Sequence, residues 1–98
     1  MRSTIQNIEK WASDRNLIDG ATPQAQMLKM TEEVGELAAA IARKDSALAA
    51  DAIGDCVVVL TILAKQLNLN IEDCTMMAYD EIKDRKGRMV DGVFVKEE

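Results

Sequence analysis

Apolar positions recur at helical spacing in four stretches of this chain, separated by short polar links. The first carries Ile5, Ile8, Trp11 and Ala12 on one face and opens at Ser3, which stands at capping-box spacing from Gln6; Asp19-Gly20 closes the region with a turn. Thr22 and Pro23 fit the N-cap and first residue of a second helix, in which Met27, Met30, Val34, Leu37 and Ile41 repeat until about Arg43. The link from Arg43 to Ser46 leads into a third helix reaching about Leu67, and a link this short sets helices two and three antiparallel. The fourth begins at Asn70, with Asp73 completing a capping-box-like pair, and is expected to end at Gly87. Beyond it lies a tail, 88–98, whose Val93-Phe94-Val95 could lie extended on the helices. The pattern predicts an all-α, four-helix bundle-like protomer forming one domain over 1–98.

The third helix is apolar nearly all the way round, with Ile53, Val57, Leu60 and Ala64 on one side and Val58, Val59 and Ile62 on others. Such a helix must be covered on several faces. Three neighbours from a chain of 98 residues do not suffice, so the burial is expected to come from self-association. Within the run Ala52 to Ala64 the only charge is Asp55, and a buried unpaired carboxylate is costly enough to require a partner. The run is too short, and too interrupted by Asp55, to read as a membrane span.

The net charge of -5 disfavours sequence-independent binding to nucleic acid or to an anionic membrane, both of which need a basic surface. Cys56 and Cys74 sit inside apolar helical patterns, which suits free thiols in a reducing cytoplasm, and the N-terminus has no apolar signal core.

The charge pattern carries the chemistry. On an ideal helix Glu33 and Glu36 fall at about 100° and about 40° from Glu32, so the three carboxylates share one arc. By itself that arc could be the solvated face of an amphipathic helix. Asp51 and Asp55, four residues apart on the apolar third helix, argue otherwise, because antiparallel packing turns the two acidic sets toward each other and like charges so close need a cation. Gly35 and Gly54, each just before a site acid, cost helix stability and suggest close approach of the two helices there. With no histidine in the chain, an all-oxygen set suits Mg²⁺, with Mn²⁺ as the alternative.

Lys29-Met-Thr-Glu32-Glu33-Val-Gly-Glu36-Leu-Ala, then Asp51-Ala-Ile-Gly-Asp55, then Ala78-Tyr79-Asp-Glu-Ile-Lys83-Asp-Arg85, in this order and at these separations, resemble the MazG-type all-alpha nucleoside triphosphate pyrophosphohydrolases over nearly the whole chain. The resemblance implies the all-alpha NTP pyrophosphatase fold, dimers or tetramers, and hydrolysis of a nucleoside triphosphate to the monophosphate and pyrophosphate. It maps the family's EExxE onto Glu32, Glu33 and Glu36 and the aspartate of its ExxD onto Asp55. One position departs: Ala52 stands where the family has the glutamate of ExxD, and Asp51, one residue earlier, is the nearest acid. That leaves open whether one metal or two are held.

Glu33, Glu36 and Asp55 are then the expected direct ligands, with Asp51 as a substitute. Glu32 either completes a second metal or orients the attacking water as general base. Of the cations, Lys83 is where the resemblance places a phosphate contact, Arg85 belongs to the same basic cluster, and Lys29, one turn before Glu33, is a second candidate or simply its ion-pair partner. Tyr79 is the aromatic best placed for a nucleotide, while Trp11 lies in the register of a core residue. The alternative from a different class is a non-catalytic helical module with a regulatory or vestigial cation site, which Ala52 keeps open.

Overall fold

The computed structural model describes residues 2–97; the outermost residues of the expected domain, 1 and 98, lie outside that range. Four helices, α1 (Thr4–Asp14), α2 (Pro23–Ala42), α3 (Ser46–Gln66) and α4 (Ile71–Ile82), are followed by two short strands, β1 (Gly87–Val90) and β2 (Val93–Lys96). The fold is all-α, with one small hairpin. Ser3 and Gln6 form the reciprocal capping box that opens α1, Thr22 caps α2 ahead of Pro23, and Asn70 accepts from the backbone of Glu72 and Asp73 at the start of α4.

The exits of the first three helices share one device. Asn16, Lys44 and Asn68 each take a left-handed conformation just after the helix, and the next residue donates back to the helix: Leu17 to Ala12, Asp45 to Ala40 and Leu69 to Ala64. Asp45 does double service, because its carboxylate also accepts from the Leu48 backbone and caps α3. One residue therefore ends α2 and begins α3. The resulting helical hairpin is antiparallel: Arg43 faces Leu48, Glu36 faces Asp51 and Ala52, and Glu33 meets Asp55.

α3 is the hub, packing against α2, α1 and α4, with α1 and α4 meeting it from Val57 and Leu60 onward. Gln66 donates to the Leu17 carbonyl, and the Ser3 hydroxyl reaches Glu72, so both ends of α1 are tied down. By length and composition α3 could cross a membrane, unlike the shorter apolar run within it. Here it is a core helix, with Ala52, Val59, Thr61, Ile62 and Ala64 buried.

Four expectations are corrected. First, the face that α2 turns inward is Gln26, Met30, Glu33, Leu37 and Ala40, a four-three-four-three spacing, so Met30 and Leu37 of the expected stripe face inward while Met27, Val34 and Ile41 fall beside it. Val34 is 49% and Ile41 65% exposed. The alanines Ala39, Ala40 and Ala52 lie on the facing sides of α2 and α3, Ala40 and Ala52 being buried. Second, nothing lies within 4 Å of a Cβ built on Gly35 or Gly54, so neither glycine serves the α2–α3 contact.

Third, α4 stops at Ile82 and not at Gly87. Lys83 to Arg88 offers no apolar face to hold a further turn, and the chain beyond is committed to a hairpin. Asp91 and Gly92, at φ 51° and 79°, make the primed turn that two-residue hairpins prefer, pairing Gly87 with Lys96 and Val90 with Val93. The expected tail is therefore a β-hairpin, and it packs on no helix to any substantial extent. Fourth, Trp11 is not a core residue; its ring is half-exposed beneath the Arg15 guanidinium, 4.5 Å from its centroid.

The single chain is open. Its Cα radius of gyration is 16.0 Å, against about 13 Å for a compact domain of this length. It exposes 7580 Å², roughly 2,000 Å² above what a compact monomer of this mass leaves accessible.

Candidate metal centre

The rotation of α2 places a glutamate in its buried face. Glu33 is 5% exposed, the only buried carboxylate among the described residues. Across the interface α3 brings up Asp55, half-buried, and one turn along α2 comes Glu36. One carboxylate oxygen from each lies within 4.8 Å of the others. Of the five sequence-predicted acids these three are brought together.

The other two are placed differently. Glu32 is largely exposed, with its carboxylate 3.5 Å from Lys29 Nζ. Asp51 is exposed and lines an adjoining cleft of about 330 Å³ together with Glu36, Ala39, Ala40, Arg43, Leu48 and Ala52. Ala52, 3% exposed, lines this cleft beside Asp51, so the departed position and its nearest acid both border the space next to Glu36. Arg43 was missed at the sequence level. It forms no ion pair among the described residues, and its signal was available: a cation at the exit of the acidic helix, across a short link from Asp51.

Charge is unevenly compensated. Lys29 Nζ lies 3.3 Å from Glu33 Oε1, and Glu33 first, then Glu32, raises the Lys29 ammonium above its ordinary value. Glu33 Oε2 is buried with no hydrogen-bond partner. The Glu36 carboxyl is pushed up, chiefly by the charge of Glu33, then by desolvation and the close approach of the Glu33 carboxylate, with Asp55 adding to the effect and Lys29 opposing it. A buried oxygen without a donor, beside two more carboxylates, fits a hard divalent cation: the donors are all oxygen, and the orphaned atom is supplied with a counter-charge.

The remaining candidates lie elsewhere. Tyr79 is exposed on α4, Lys83 sits at the C-cap of α4 3.5 Å from Asp80, and Arg85 lies 3.6 Å from Glu81. α4 packs on α3 and not on α2, so within one chain these three residues are not gathered around the carboxylates.

The fold and site together define a mainly helical protein whose two longest helices bring three carboxylates within reach of one another. The comparisons narrow the class. The model of the MazG nucleotide pyrophosphohydrolase domain matches residues 21–89, and the chain belongs to this family. A relative from Haemophilus phage HP1 (strain HP1c1), described as an uncharacterized 18.2 kDa protein in the rep-hol intergenic region, is 47% identical over 70 residues. The match covers 71% of this chain and 43% of the relative, so the chain spans less than half of the phage protein's length. No solved structure matches.

Proposed function

We infer that the protein hydrolyses nucleoside triphosphates, ribo- or deoxyribo-, to the monophosphate and pyrophosphate, using Mg²⁺ or Mn²⁺ held by Glu33, Glu36 and Asp55. The observation that carries this reading is Glu33, buried in the α2–α3 interface with one oxygen unpartnered and two further carboxylates within 4.8 Å. Membership of the MazG family supports the reaction type.

Each residue then has a task. Glu33 is fixed by burial and by Lys29, so it anchors the site, while Glu36 and Asp55 reach it from the two helices. A divalent cation bound there would draw charge from the phosphates and acidify a water for attack at the α-phosphorus. Glu32, exposed at the edge of the site, is the candidate to orient that water and accept its proton. Arg43, unpaired and two turns beyond Glu36 along the same cleft, is the candidate to hold a phosphate oxygen, and Lys83, Arg85 and Tyr79 would contact substrate only from α4 of a second copy. Asp51 is an auxiliary ligand on the same cleft. With Ala52 at the departed position, the site holds fewer protein ligands than the family pattern supplies.

The working unit is a homo-oligomer, a dimer or a dimer of dimers, in the cytoplasm, where Cys56 and Cys74 stay as free thiols. The excess of exposed surface supports it, since roughly 2,000 Å² is the scale on which obligate interfaces are built. Val34 and Ile41 on α2, and Ile53, Val57 and Leu60 on α3, supply its apolar part.

The test is a panel of ribo- and deoxyribonucleoside triphosphates assayed with Mg²⁺ for both products. Equimolar pyrophosphate and nucleoside monophosphate are expected; orthophosphate with nucleoside diphosphate would overturn the reading. The second reading, a non-catalytic module, draws on buried Ala52. It expects metal binding without turnover of any member of the panel.

A further inference from the structure

The hairpin at the C-terminal end has no face suited to water. Its register puts Met89 opposite Phe94, with Gly87 and Lys96, on one side, and Val90 opposite Val93, with Arg88 and Val95, on the other. Both sides are apolar, and every one of these residues is exposed, Phe94 at 50%. The Phe94 ring occupies the space a Cβ on Gly87 would need, so the strands are shaped for each other. A lone two-stranded hairpin is marginal in water, and this one receives no substantial support from its own helices. Most of it also lies beyond the part of the chain that the family model matches, which ends at 89.

The same chain carries an unfilled apolar groove of about 410 Å³, walled by Ile5 of α1, Val57 and Leu60 of α3, and Ile71 and Thr75 of α4. Glu72 is the one charged residue among its lining residues, and the segment 86–98 balances Lys86, Arg88 and Lys96 against Asp91, Glu97 and Glu98, so apolar surface and not net charge matches the two. A chain's own hairpin is not delivered to its own groove. The first turns of α4 wall the groove, and its 12 residues form a rod of about 18 Å that carries the hairpin away from it.

We propose that the hairpin is an exchanged arm: residues 87–96 of each chain dock into the α1–α3–α4 groove of a second copy, and the second copy's hairpin docks in return. A second copy is the occupant because the chain holds both halves of the contact, cannot join them within itself in this conformation, and exposes an excess of surface on the scale of a stable dimer interface. Reciprocal exchange satisfies both grooves in a closed two-fold arrangement. The proposal rests on the self-association argued above but not on the reaction.

The test replaces Phe94 with the photo-crosslinking amino acid p-benzoylphenylalanine in full-length protein, with ¹⁵N-labelled and unlabelled chains mixed before irradiation. The expected result is a covalent dimer whose crosslinked peptides pair one isotope with the other and map to Ile5, Val57, Leu60, Ile71 or Thr75. Adducts confined to one chain, or falling outside the groove, would overturn the arm. Light scattering on Thr75→Trp, which fills the groove without touching the hairpin, and on Val93→Ser/Phe94→Ser is the second arm. Each variant, with native helical circular dichroism, is expected to weaken association at least tenfold. Unchanged association in both would leave a dimer made by α2 and α3 alone and sink the arm, whereas wild-type protein of monomer mass at micromolar concentration would remove self-association itself. Neither outcome touches the pyrophosphohydrolase reading.

Discussion

Two neighbouring faces of α2 are inverted with respect to what each residue type prefers. The inward face buries a carboxylate, Glu33, among Met30, Leu37 and Ala40, while the next face leaves Met27, Val34 and Ile41 in solvent. Burying an ionised carboxylate costs several kcal/mol unless it is paired, and exposing large apolar side chains forgoes roughly 2 kcal/mol each. A rotation of about 100° would exchange the two faces; in the observed phase Lys29 pairs only one oxygen of Glu33, and the apolar face stays in solvent. On the proposed reading a cation would join Lys29 in compensating the first face, and a second copy of the chain would cover the other.

The inner face is broken most severely at Asp55. Asp55→Asn keeps the shape and removes the charge that α3 contributes, and should lower turnover by about 1,000-fold or more, the scale on which loss of a charge-stabilising group acts. Circular dichroism should show the helices intact. A folded variant with wild-type turnover would detach the carboxylates from the chemistry.

Ala52→Glu sharpens the same face. Placing a fourth carboxylate at a 3% exposed position beside Glu36 should destabilise the metal-free protein by roughly 3 kcal/mol, and saturating Mg²⁺ or Mn²⁺ should recover most of the loss. Thermal unfolding with and without metal reads both effects. Destabilisation that no cation relieves would mean that the cleft is not continuous with the metal centre.

The outer face is tested by Val34→Asp. On a monomer such a half-exposed change is worth within about 0.5 kcal/mol, but on an interface it should cost about 2 kcal/mol, or about 30-fold in the dissociation constant. Sedimentation across a dilution series distinguishes the two. The smallest effect is expected at Gly35, which points into open space away from both faces: Gly35→Ala should stabilise the protein by about 1 kcal/mol in denaturant unfolding without altering turnover. Destabilisation there would place a partner against that side of α2.

Local chemistry was legible in the sequence. Ser3 with Gln6, Thr22 with Pro23, and Asn70 declare helix starts through the groups their side chains satisfy, and the short link at Arg43 to Ser46 declares the antiparallel pair. Three of the five predicted acids meet because that pairing follows from the link. What was not legible is the rotational phase of α2. Hydrophobicity favours Met27, Met30, Val34, Leu37 and Ile41 as the stripe, yet only Met30 and Leu37 lie on the inward face, where Glu33 and Ala40 are buried beside them. The choice among adjacent glutamates depends on packing across two helices, which no single-helix pattern encodes. The hairpin is a different case, since Asp91-Gly92 between Val90 and Val93 carries the turn signal locally, and reading the segment as a tail also misplaced the end of α4.

The claim that joins these observations is that Glu33 is buried to hold a cation. Isothermal titration of Mn²⁺, with Mg²⁺ in competition, into wild-type protein and Glu33→Gln measures it directly, because the substitution preserves volume and leaves Glu36 and Asp55 in place. The account predicts saturable binding by the wild-type chain, displaced by Mg²⁺, and loss of that binding in a Glu33→Gln variant that remains folded. Equal affinity in the two proteins would contradict it.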